Sequence, residues 1–89
     1  MSKLVITHDV ADVDAWLSFA SERADAIGGM GGTNVADHVA NDGSNKVAVS
    51  AEVDEVEAFL AAVASPPADL LAAMQRHGVV PPLTAYVER

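Results

Sequence analysis

The chain contains no cysteine. That excludes disulfides, thiolate metal ligands and cysteine nucleophiles, and it fits a reducing compartment, so a cytoplasmic location is expected. Basic residues are also few: five Lys and Arg stand against 13 Asp and Glu, for a formal net charge of −8 at pH 7. The five are scattered singly and make no patch, so neither nucleic acid nor an anionic membrane is an expected partner. Long apolar runs are missing too. The opening MSKLVITHDV meets a charge too early to be a signal or membrane segment. With one Trp, one Tyr and two Phe, few large side chains are left to shape a specific pocket.

Several site signatures are absent as well. The GGMGG stretch follows a helical segment, whereas phosphate loops precede one, and no Gly-Lys-Ser/Thr accompanies it. Asp9, Asp12 and Asp14 lack the glycine and distal Glu of a calcium loop, so capping explains them better. His8, His38 and His77 fall on three different elements without ligand spacing; no metal and no cofactor are expected, and the roles of His38 and His77 stay open.

What is present is a repeat. KLVITHDVADVDAWLSFA, residues 3–20, aligns without a gap on KVAVSAEVDEVEAFLAAV, residues 46–63, with five of the 18 pairs identical. Each copy opens with an apolar strand, Leu4–Val10 or Lys46–Val53, meets an acidic stretch suited to a helix N-terminus, and continues as an amphipathic helix. Between the copies, Gly28 is expected to end the first helix in the left-handed conformation. Thr33–Ala40 reads as a strand with Val35, Asp37 and Val39 on one face, joined to the next strand by the turn 41–45. Ser65-Pro66-Pro67 should split the second helix, with Ser65 as cap and proline in the first turn, because proline inside a helix removes a hydrogen bond and clashes. Gly78 ends that piece, and Leu83–Val87 reads as the last strand.

The order is β-α-β-β-α-β over a single domain, 1–89. This is the split βαβ, ferredoxin-like α+β arrangement: a four-stranded antiparallel sheet with helices on one face and the second helix split, the 43-residue repeat being its trace. The other face carries Val5, Thr7, Ala48 and Ser50 rather than charges, and an uncovered neutral face wants a partner.

LVITHDVADVDAW and LLAAMQRHGVVPPLTAYVE resemble small bacterial proteins of the dimeric α/β-barrel superfamily, loosely labelled cyclases or relatives of antibiotic-biosynthesis monooxygenases. The resemblance runs over most of the chain. It implies a homodimer with two sheets packed face to face, helices outside, and a small cavity between each sheet and its helices. It does not extend to the haem-degrading members, which are similar in using a helix-borne histidine, a first-strand asparagine and a second-helix tryptophan. Here Thr7 or His8 stands on the first strand, and Trp16 is on the first helix.

Five residues are candidates for a site. His8 lies on the Leu4/Ile6 face, and its repeat counterpart is Ala51, so the fold tolerates a small apolar residue there. It is either a core histidine satisfied by backbone or a pocket base that burial keeps neutral. Ile6 would line the same pocket. Trp16, aligned with Phe59, is either core or a ligand wall. Tyr86 carries its hydroxyl into the cavity or into solvent. Arg23 snorkels to water, the favoured reading, or neutralises an anionic ligand. Two functions fit. One is a cofactor-independent monooxygenase- or cyclase-like enzyme acting on a small apolar or aromatic molecule, with His8 and Tyr86 catalytic and Trp16, Arg23 and Ile6 binding. The other is a non-catalytic dimer that binds a small ligand or is purely structural. A pocket of a few hundred Å³ lined by His8 would separate them.

Overall fold

The computed structural model describes residues 2–89. Its strands are β1 (Ser2–Val10), β2 (Gly32–Val39), β3 (Lys46–Val53) and β4 (Val79–Val87); its helices are α1 (Val13–Ser18), α2 (Ala20–Gly29), α3 (Val56–Ala64) and α4 (Ala68–Arg76). They form a four-stranded antiparallel sheet in the order β2-β3-β1-β4. The fold is ferredoxin-like. The repeat is visible in the burial: Leu4 and Val47, Ile6 and Val49, His8 and Ala51, Val10 and Val53, Trp16 and Phe59 are equivalent pairs, and all ten residues are buried. Alternation along β1 and β3 turns these strand positions toward the helices, where they form the core.

Local chemistry sets the helix ends. Asp12 caps α1, its Oδ1 accepting the Ala15 N–H at 3.0 Å. One continuous first helix is not what forms, because the chain breaks at Phe19. The Trp16 carbonyl there accepts both the Phe19 N–H at 3.1 Å and Arg23 Nη2 at 3.0 Å, so a side chain intrudes on the helical ladder. Helix α2 also runs past Gly28 to Gly29, and the left-handed residue is Gly31, with φ +93°. The shift follows from Gly32: a Cβ there would lie 2.5 Å from Ile27 Cγ2, so the chain must turn just before it to bring bare backbone under Ile27.

Strand β2 starts one residue earlier than expected and bulges against β3 between Thr33 and Ala36, with Asn34 at φ 51°. The second helix is split, α3 and α4 meeting at 68°. The capping differs from expectation: Ser65 closes α3, its N–H reaching the Ala61 carbonyl at 3.0 Å, and Pro67 opens α4. Gly78 ends α4 at φ +77°. The last strand begins directly after it, four residues before Leu83, because β4 is an edge strand where prolines need not donate. Three residues of β4, Pro81 to Leu83, stand opposite the single residue His8 of β1, so the ladder bulges beside that histidine.

The face without helices is neutral in the middle and charged at its ends. Val5, Thr7, Ala48, Ser50, Thr84 and Tyr86 occupy the centre by register; Lys3 and Glu52 lie across one end, and Asp9 with Lys46, 3.6 Å apart, across the other. A groove of about 450 Å³ runs over this face, lined among others by Thr7, His38, Ala48 and Thr84 and reached also by His8. Among the described residues no single helix is long and apolar enough to cross a membrane; α3 and α4 together pass by length and composition only, across their bend.

Candidate functional site

Helices α2 and α4 do not seal against the sheet. They leave a cavity of about 90 Å³ whose walls are aliphatic, from Ile6, Ile27, Val49, Leu70, Met74 and Leu83 among others, with His8, Trp16, Arg23 and His77 as its polar members. Four of the five expected residues therefore meet around one space. The fifth does not. Tyr86 pairs with Val5 and so points to the uncovered face, 57% exposed, and cannot reach this cavity within the subunit.

Arg23 is the largest departure from expectation. It does not snorkel. It is 7% exposed and spans the cluster: Nε and Nη2 donate to Asp37 Oδ1 and Oδ2 at 3.0 and 2.7 Å, Nη2 also donates to the Trp16 carbonyl, and Nη1 lies 3.3 Å from His77 Nδ1. The guanidinium sits 3.8 Å over the Trp16 ring. With its charge neutralised by a bidentate carboxylate, it is a keystone joining α1, α2, β2 and α4 rather than a free anion-binding group. Trp16 is both core and wall: it is wholly buried, and His8 meets its ring edge-on at 6.1 Å between centroids.

His8 donates from Nδ1 to the Asp9 carbonyl at 2.9 Å, since a carbonyl can only accept, and Nε2 is therefore the lone-pair end of the neutral ring. Burial pushes its pKa below the ordinary 6.5, and the Arg23 charge adds to this, against the opposing hydrogen bond and the Asp9 charge. His77 is buried at the end of α4, stacked on Phe19 with ring centroids 4.5 Å apart. Its pKa is lowered by burial and by Arg23 and Arg76, while Asp37 works the other way. Arg76 pairs with Glu22 above it.

Both shifts have one sign, and stability should follow. Between the depressed folded-state values and 6.5 the unfolded chain binds more protons than the folded one. The histidine contribution is thus complete above about pH 6.5 and is lost as pH falls below it. Urea unfolding at about pH 7.5 and 5.5 should show this loss, and it should be smaller in His77→Phe, which keeps the stack on Phe19 but cannot titrate. An equal loss in the variant would contradict the assignment.

Sequence reasoning missed Asp37 and left the role of His77 open. One signal for Asp37 was available: an acid on the Val35/Val39 face must find a buried cation. His77 gave no comparable sign, since its partners lie 54 positions away on α2. Among the described residues no three His, Asp or Glu side chains converge to hold a metal ion.

No protein-family model matches the sequence, and no curated protein sequence is significantly similar to it. The fold does have a solved counterpart. The structure is similar to a crystal structure from Deinococcus radiodurans described as a "putative antibiotic biosynthesis monooxygenase", with a TM-score of 0.59 over 97% of this chain and 90% of that one. At 15% identity the likeness establishes the shared architecture.

Proposed function

We propose that the chain is a homodimer, joined through its sheet face, that takes a small and largely apolar molecule into the cavity between sheet and helices. There it acts without a cofactor by proton transfer at His8. One observation carries this reading. A buried imidazole, held at Nδ1 by a backbone carbonyl and biased toward its neutral form, lines an apolar cavity and keeps Nε2 as the ring atom able to accept a proton. Its repeat equivalent is Ala51, so the histidine is not required to build the strand. Taking a proton from an acidic C–H or O–H would give imidazolium and the substrate anion. That anion is the species a cyclase closes onto an internal electrophile, or that dioxygen attacks in a monooxygenase, the activity named for the Deinococcus protein.

The cavity size favours a second reading. About 90 Å³ is smaller than the ~150 Å³ cavity that admits benzene in a protein core, and below the ~300 Å³ lower end of ligand pockets. Without movement of α4 the site holds a molecule of only a few heavy atoms, and a non-catalytic binding or structural dimer is the alternative. His8→Ala tests whether His8 belongs to a binding site, which the enzyme reading requires. A thermal-shift screen with small ketones, phenols and heteroaromatics should yield hits for the wild type that the variant loses, while the variant keeps its fold. A variant that unfolds, or one that keeps every hit, would remove His8 from the site.

A further inference from the structure

Two buried polar atoms on the cavity-lining residues have no hydrogen-bond partner among the described residues: Trp16 Nε1 and His77 Nε2. Their chemistry is the same. Indole nitrogen can only donate. His77 Nδ1 faces Arg23 Nη1 at 3.3 Å, and a guanidinium can only donate, so Nδ1 is the accepting end and the ring's proton sits on Nε2. Glu22 Oε1, 3.6 Å from Nε2, lies beyond hydrogen-bond range and is engaged by Arg76. Two residues lining one small apolar cavity thus each carry an N–H donor on a side chain more than nine-tenths buried, and a buried donor left unsatisfied is unfavourable enough to call for a partner.

The charges around them select among acceptors. Arg23 is matched by Asp37, and Arg76 by Glu22, so no positive charge is left over to compensate a desolvated anion. Resting on the pocket reading above, we infer that the ligand presents an uncharged carbonyl oxygen to Trp16 Nε1–H and His77 Nε2–H, with Arg23 acting as the positioning residue that fixes the His77 tautomer. A hydroxyl used as donor, or a carboxylate, fits this end of the cavity poorly.

Three probes of four heavy atoms test it in the wild-type protein: acetone, 2-methylpropene (the same shape with CH₂ for oxygen) and acetate. Each is titrated while NMR follows the Trp16 and His77 ring N–H signals and the Ile6 and Val49 methyls. Acetone should move both N–H signals and bind about tenfold more tightly than 2-methylpropene, the size expected for one or two net hydrogen bonds. His77 should show the Nε2–H nitrogen pattern before any probe is added. Equal binding of acetone and 2-methylpropene with both N–H signals unmoved overturns the inference and leaves the pocket standing. Tightest binding by acetate, or an Nδ1–H tautomer, also overturns it. Methyls that respond to none of the three remove the pocket reading and this inference together.

Discussion

Replacing Asp37 with leucine should destabilise the protein by about 3–5 kcal/mol, because it leaves the Arg23 guanidinium buried without a counter-charge. Both side chains are largely shielded from water, at 8% and 13% exposed, so solvent cannot take over the role of the carboxylate. In a domain of this size such a loss lowers the melting temperature by roughly 12 °C or more, a large part of the whole stability. The double variant Arg23→Met/Asp37→Leu should recover most of it, since exchanging a buried ion pair for apolar side chains is often close to neutral. Chemical unfolding of the two proteins side by side measures the difference. If Asp37→Leu unfolds like the wild type, Arg23 has found water, and the keystone role is wrong.

A second large effect is expected at Thr7. It lies half-buried in the centre of the neutral sheet face, beside Ala48 and Thr84. If two such faces close on each other, Thr7→Lys places a charge in the middle of a dry contact. The dimer should then dissociate at micromolar concentration, and the melting temperature should fall with it, since association stabilises the folded state by mass action. Sedimentation velocity reads the first effect and a thermal scan at two concentrations the second. Wild-type protein that sediments as a monomer would end the sheet-to-sheet proposal.

The fold was legible because it is written twice. A shift of 43 positions superposes five buried pairs, and a chain that repeats a strand-helix phrase has few topologies open to it. Proline marked the break in the second helix for the same local reason that it imposes there. The break in the first helix was invisible, since it depends on Arg23 reaching back to the Trp16 carbonyl, a tertiary choice rather than a propensity. The site divides the same way. His8, Ile6 and Trp16 were found from strand parity and helix spacing. Tyr86 was left undecided because Pro81-Pro82 hides where the last strand begins, and with it the parity that turns the ring to the open face. Arg23 and His77 could not be read alone: the meaning of each is set by the other and by Asp37, on elements far apart in the chain.

On the proposed reading, small molecules enter between the sheet and the helices, at His8. Protein-observed NMR during titration with the hits of the ligand screen tests it most directly, because the two candidate surfaces carry different reporters. Shifts are expected at the Ile6, Val49 and Leu83 methyls and the Trp16 indole, which line the cavity and not the groove. Shifts confined to Thr7, Ala48, Val80 and Thr84 would place binding in the groove on the open sheet face and contradict it.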